Sequence, residues 1–300
     1  MALPQEFLDY PNRRHGMDHD LYEWSNIFQR KPLQLPNNAK VGLMVTIPLE
    51  YFPLNPIGKP FKAPGSMVTN YPDYRHYTTR DYGNRVGVFR LLQVMNKFNI
   101  KANFAINAEL AERYPFLLKE IVDCGHEIIA HGYNMDTLHY GEMDIEVERN
   151  QVKKSIEILQ NNSGKTIFGW MSPAYSQSFN TLDLLVENGI KYVCDWANDD
   201  LPFGIKTKNG SITSIPVTQE LSDRQIIINN HHSEDSFVQQ IKDQFDCLYE
   251  ESEKYGGRIL SLNVTPYIMG LPYRIKSFIE VLEYVTKQQN VVNITGSNLC

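Results

Sequence analysis

Cysteine is scarce and scattered in this 300-residue chain. There are four, Cys124, Cys194, Cys247 and Cys300, and none forms a C-x-x-C pair. That excludes a zinc ribbon, a thioredoxin-type redox motif and a disulfide scaffold, and leaves reduced thiols packed as small hydrophobes. Long apolar runs are missing too; none approaches the ~18 residues needed to span a bilayer. Positive charge is in the minority, 29 Lys and Arg against 35 Asp and Glu for a net charge of -6. With no basic stripe or tail, electrostatically driven nucleic-acid binding is not expected. The polar opening MALPQEFLDYPNRRHGMDHD contains no apolar export segment, so a soluble, cytoplasmic protein is expected, with neither membrane nor nucleic acid as partner. Internal repeats and low-complexity stretches are also lacking, which excludes collagen and coiled coil. What remains, 42% hydrophobic and 21% charged residues, is the composition of an ordinary globular chain.

Strand-like and helix-like patterns alternate along it. Val41–Ile47 (VGLMVTI) reads as a buried strand. A Pro- and Gly-rich loop follows from Pro48 to about Thr79, longer than a passive connection. Gly83–Asn99 carries apolar residues at helical spacing, Lys101–Ile106 is a second strand, and Ala108–Cys124 a second helix stopped by Gly125. Next come a strand at His126–Ala130, a helix over Asp144–Gln160 capped by Asp144, a strand at Thr166–Trp170 and a helix over Thr181–Asn188. Strands at Lys191–Cys194, Ile212–Val217 and Ile226–Ile228 lead to a helix over Ser233–Tyr255. A strand at Arg258–Val264, a helix over Tyr273–Val285 and a strand at Asn290–Ile294 finish the pattern. This rhythm predicts an α/β fold, a parallel sheet covered by helices and closed or nearly closed. No linker divides it: residues 1–300 read as one domain, with 1–40 an N-terminal extension packed on the barrel.

In such a fold the chemistry sits at the C-terminal ends of the strands, so the polar residues just after each apolar run matter most. They are Glu50 and Tyr51; Asn107; His131, Asn134, Asp136 and His139; Ser172, Tyr175 and Ser176; Asp195, Trp196, Asn198, Asp199 and Asp200; His231 and His232; and Thr265. Histidines and carboxylates recurring on one rim are the composition of a hydrolase site, with or without a divalent metal. Each has a plainer reading: a solvated loop carboxylate, a helix-capping Asp, or a packed aromatic for Trp196 and Tyr175.

Taken together, several segments resemble the polysaccharide deacetylase superfamily (carbohydrate esterase family four), with a closer likeness to its allantoinase-like branch. They are VTIPLEY (45–51), DYGNRVGVFR (81–90), GHEIIAHG (125–132), GWMSPAYS (169–176), DWANDDLP (195–202) and GLPYRI (270–275). The resemblance implies a distorted (β/α) barrel of about seven parallel strands that hydrolyses C–N bonds other than peptide bonds. It makes Glu50 the retained carboxylate of the family's T-F-D-D segment and His131, with His139 as partner, the counterpart of its H-x-x-x-H metal pair. This chain departs from the family at each of these motifs: T-F-D-D keeps only one carboxylate, Glu50; His139 follows His131 by eight residues instead of four; Met171 stands where R-x-P-Y has Arg; and Thr265 stands where the late leucine–histidine motif has its catalytic His.

Amide hydrolysis needs an activated water, a stabilised oxyanion and a proton for the leaving nitrogen. Glu50, His131 and His139 are candidate ligands for one Zn²⁺. In the metal-independent alternative Glu50 is the base itself. His231 or His232 replaces the missing acid, and Asp199 is a further catalytic candidate. Arg80, Arg85, Arg274, Ser172, Tyr175, Asp195 and Trp196 are candidates for holding the substrate. The expected activity is on a small amide, ureide or N-acetyl compound, with a small molecule or sugar as substrate and a homo-oligomeric assembly. Two alternatives stand beside it: a conventional metal-dependent polysaccharide de-N-acetylase, and a degenerate barrel that only binds.

Overall fold

The expected alternation of strands and helices is present in the computed structural model, which describes residues 19–69 and 72–300. The described strands form one nine-stranded sheet: β1 Val41–Leu49, β2 Asn103–Ile106, β3 Glu127–Ala130, β4 Gly169–Trp170, β5 Tyr192–Val193, β6 Phe203–Thr207, β7 Gly210–Ser214, β8 Arg258–Asn263 and β9 Val291–Ile294. The order is β6-β7-β5-β4-β3-β2-β1-β8, and β9 pairs with β1. Every pairing is parallel except the β6–β7 hairpin. β1 is the hub. One edge pairs with β8 from Val41 to Thr46; the other is shared by β9 over Val41–Met44 and β2 over Thr46–Leu49. No described pairing joins the hairpin to β8, so the expected barrel is a curled half-barrel.

The period-two alternation of a strand decides what faces where. On β1 the odd residues Val41, Leu43, Val45, Ile47 and Leu49 belong to the main core beneath the helices. The even residues Met44, Pro48 and Glu50 face the inside of the curl. β8 follows suit, with Leu260, Leu262 and Val264 outward and Ile259, Asn263 and Thr265 inward. Low on the inside, Leu35 and Ala39 pack with Met44, Ile129, Ile215, Ile259 and Ile294 and fill the end where the strands begin. At the opposite end the curl holds a cavity.

The described helices are α1 Tyr74–Tyr82, α2 Val88–Lys97, α3 Ala108–Arg113, α4 Pro115–Asp123, α5 Ile145–Ser163, α6 Thr181–Glu187, α7 Glu234–Tyr255, α8 Pro266–Met269 and α9 Ile275–Thr286. Asp144 caps α5 by accepting from the N–H groups of Glu146 and Val147, and Ser233 caps α7 by accepting from Ser236 N–H. Three expectations are corrected. The helix expected over Ala108–Cys124 is two, because Pro115 cannot continue a helix and starts a new one at its own first position. The helix expected over Gly83–Asn99 opens with a π-helical turn at Gly83–Gly87. The strand expected at Ile226–Ile228 is instead a π-helical turn, Arg224–Asn229, which buries Ile226 and Ile227. No helix among the described residues is long and apolar enough to cross a membrane.

Candidate active site

The open end of the curl holds a cavity of about 210 Å³, floored by the ends of β1, β3 and β8 and walled by the turn Arg224–Asn229 and by Pro64 of the long loop. Of the residues expected at a site, Glu50, His131, Tyr175 and Thr265 line it. Asn107, just beyond β2, ties the first two together. Its Oδ1 accepts from Tyr51 N–H at 2.7 Å, and its amide nitrogen donates to the His131 carbonyl.

His131 is fully buried, and its Nδ1 lies 2.7 Å from the Met171 carbonyl. A carbonyl only accepts, so Nδ1 carries the hydrogen and Nε2 presents a lone pair. That Nε2 has no hydrogen-bond partner among the described residues. Burial pulls the imidazole's pKa down, the nearby Glu50 opposing it, so the ring is neutral at pH 7.

Glu50 is clamped by a residue that sequence reasoning missed. Nη2 of Arg224 donates to both carboxylate oxygens, at 3.0 and 2.7 Å. Tyr267 Oη lies 3.5 Å from the same carboxylate, and its ring lies 5.5 Å from the guanidinium carbon. Burial opposes the charge of Arg224, but Glu50, Tyr267 and Asp223 raise its pKa beyond that of a free guanidinium. Burial also lifts the Tyr267 phenol to about 12, so it stays protonated. The long loop comes down on this pair. Gly65 has φ +86°, and a Cβ there would lie 2.3 Å from Arg224 Nη1 and 2.9 Å from Tyr267 Oη. Arg80 holds the loop tip, donating from Nε and Nη2 to the Gly65 carbonyl at 2.8 and 2.5 Å. Asp136 anchors an earlier stretch, accepting from the N–H groups of Ile57 and Gly58.

Other expected site residues are engaged elsewhere. His139 bonds through Nδ1 to Glu148 at 2.9 Å, and Glu148 also accepts from Ser178 and Thr181. Burial pushes that carboxyl up, but these three bonds outweigh it and hold it low. The expected Glu50, His131 and His139 cluster is therefore not assembled. One imidazole is committed to a buried hydrogen bond with Glu148, the carboxylate is committed to Arg224, and among the described residues no three His, Cys, Asp or Glu groups are placed to hold a metal. The residues present do not fit a metal bound by that trio.

His231 and His232 are exposed and stand outside the cavity lining. Asp199 pairs with Arg30 at 2.5 Å, Arg274 with Glu234 at 2.8 Å, and the exposed Arg85 with Asp81 at 3.5 Å. Arg80 positions the loop. Asp195 is buried beneath the site, accepting from Ser172 N–H and Gln177. Ser172 Oγ is taken by the Trp170 indole, and Trp196 donates to Gln177. Tyr175 stays in the cavity wall, its hydroxyl accepting from Asn263 at 2.8 Å.

Residues 70–193 match the polysaccharide deacetylase family. Over 250 residues the chain is 24% identical to a peptidoglycan deacetylase of Helicobacter pylori, covering 73% of this chain and 84% of that one. Its fold is that of the PuuE allantoinase crystal structure, with a TM-score of 0.80, 26% identity and coverage of 90% and 92% of the two chains. A probable polysaccharide deacetylase from Pseudomonas aeruginosa PAO1 superposes with a TM-score of 0.78 at 25% identity, covering 89% and 91%. At the centre of the site is the guanidinium of Arg224 on the carboxylate of Glu50. Neither Arg224 nor Asp223 follows an apolar run, the place from which the catalytic candidates Glu50, Asp199, His231 and His232 were read. A clearer signal was available: a charged Asp–Arg doublet separated by a single residue, Gln225, from three isoleucines.

Proposed function

We propose that this chain hydrolyses the C–N bond of a small amide, ureide or N-acetyl compound in the cavity between Glu50, His131 and Arg224. The observation that carries the reading is the buried, unpartnered Nε2 of His131, a neutral base facing the same small space as a fixed cation. The His131 lone pair takes a proton from a water that attacks the carbonyl carbon. Arg224, held to Glu50 through Nη2, has Nη1 left to meet the charge that develops on the carbonyl oxygen. Glu50 fixes the guanidinium and serves as its counter-ion. The family match over residues 70–193 and the likeness to a deacetylase and an allantoinase, whose names both denote hydrolysis of such bonds, support the reading. No step runs through a metal, because the donors that would hold one are engaged by Arg224 and Glu148.

The size of the cavity favours a small substrate. At about 210 Å³ it lies below the ~300–1,000 Å³ common for ligand sites. The side chains of Gln219, Gln225, Asn229 and Asn263 also line it, neutral donors and acceptors suited to an amide or ureide.

The test is release of ammonia or acetate from a panel of amides, ureides and N-acetyl sugars in the presence of a chelator. The wild type turns over at least one of them without added metal. His131→Gln lowers kcat by ~10²–10⁴-fold with little change in KM. Full turnover by His131→Gln, or activity that disappears with the chelator and returns with Zn²⁺, would sink this mechanism.

A further inference from the structure

The mechanism above supplies a base and an oxyanion partner but no proton for the leaving nitrogen. Both histidines expected for that task are exposed and outside the cavity. Thr265 does line the cavity, and it is bonded to a group no motif pointed to. Asp223 is fully buried, with Oδ2 accepting from Thr265 N–H at 2.8 Å and its carboxyl also bonded by the Thr265 side chain. Its other oxygen, Oδ1, is buried with no partner among the described residues. A carboxylate normally fills both oxygens, and an ionised one left half-satisfied away from water is costly. A carboxylic acid tolerates the same place far better.

We propose that Asp223 is the proton source for the departing nitrogen and that the Thr265 hydroxyl hands that proton across. The inference rests on the hydrolase reading. Attack puts the water's OH on the carbonyl carbon and its proton on His131. As the C–N bond breaks, its electron pair goes to nitrogen. Nitrogen takes the Thr265 hydroxyl proton, and the hydroxyl is refilled from Asp223. The acid and amine products leave, and the proton on His131 returns through solvent to Asp223, so nothing is consumed except water.

The surroundings of Asp223 agree with this role. Burial raises its pKa to about 7, against the bonds from Thr265 and the charge of the adjacent Arg224. Arg224 is in turn neutralised by Glu50 from the end of β1, while Tyr267 on α8 stays protonated. The nearest fixed positive charge is thus already compensated, and the acid is poised to lose its proton near neutrality.

Asp223→Asn keeps the shape and an oxygen to accept from Thr265 N–H but carries no transferable proton. On an unactivated amide it should lower kcat ~10²-fold or more, leave KM nearly unchanged and abolish the alkaline limb of the pH profile near 7. On an activated ester of the same acyl group, whose leaving group needs no proton, it should stay within a few-fold of wild type. Thr265→Val should behave like Asp223→Asn, and Thr265→Ser should restore most of the rate. Independently of turnover, the Asp223 carboxyl carbon followed by NMR on isotope-labelled aspartate should titrate near neutrality. A carboxyl already ionised at pH 5, or equal losses on amide and ester, overturns the proposal. Amide hydrolysis that survives Asp223→Asn overturns it while leaving the hydrolase reading intact. A chain that cleaves no amide, although Asp223 titrates near 7, overturns the hydrolase reading and this proposal with it.

Discussion

The Glu50–Arg224 pair is the residue on which the site's electrostatics turn. The two side chains are only 8% and 18% exposed, and taking such charges from water is expensive unless each compensates the other. Losing one partner therefore costs more than losing both. Glu50→Gln leaves a buried guanidinium without its counter-ion, and Arg224→Met leaves a buried carboxylate without its cation. Each should destabilise the fold by about 3 kcal/mol, less whatever solvent in the cavity screens. The double variant should be more stable than the sum of the singles predicts, by on the order of 1–3 kcal/mol. Denaturant titration of the four proteins closes the cycle. Strict additivity would mean that the pair is screened and that Arg224 is not held by Glu50. Activity should separate the same residues in another way: Arg224→Lys keeps the charge but not the two-headed fork that meets both Glu50 and the substrate oxygen, so kcat falls although the fold is spared.

At the scale of elements, what was legible depended on whether local pattern and tertiary packing agreed. α5 and α7 announce themselves by Asp144 and Ser233, and β1 by an apolar run too continuous for a half-exposed strand. The floor of the site, Glu50 and His131, was legible for the same reason: both follow buried strands, whose C-terminal ends face the cavity. The turn Arg224–Asn229 was not legible. Three β-branched residues in a row favour a strand, and only the depth of the core beneath Ile226 and Ile227 selects a helical turn. π-helical turns often occur at functional sites, and this one places Arg224, Gln225 and Asn229 on a single cavity wall. The two geometries predict opposite mutational patterns. In a strand, Ile226 and Ile228 share a face; in the turn, Ile226 is buried and Ile228 is 42% exposed. Ile226→Ala should cost about 2–5 kcal/mol, and Ile228→Ser about 0.5 kcal/mol or less. Equal losses at the two positions in thermal melts would restore the strand.

Across the whole molecule, two buried groups at opposite ends of the sheet give the fold a pH response that neither shows alone. His126 enters β3 with Nδ1 accepting from Ala102 N–H at 3.1 Å and its ring 4.9 Å from that of Phe104. Burial, helped by Lys101, depresses its pKa from 6.5 to about 4. Between pH 6.5 and 4 the unfolded chain therefore binds a proton that the folded one refuses. This contribution is present above pH 6.5 and is lost on acidification, by about 3 kcal/mol. Asp223 works in the other direction. Its pKa is raised from 3.8 to about 7, so between those values the folded chain keeps a proton that the unfolded one has released. Its contribution is complete below pH 3.8 and is lost as pH rises through 7, by about 4 kcal/mol. Over most of the interval from pH 4 to 7 the two slopes oppose each other, and wild-type stability should vary less than either single variant's. The buried His131, also depressed, adds to the His126 side. Asp223→Asn removes the falling limb, so its stability should climb steadily from pH 4 to 7. His126→Asn, whose Oδ1 can accept from Ala102 N–H, removes most of the rising limb and should become less stable over the same interval. Urea titrations of the three proteins at pH 4.5, 5.5 and 6.5 decide the matter. Parallel pH curves for all three would mean that neither group is held in the protonation state its burial dictates.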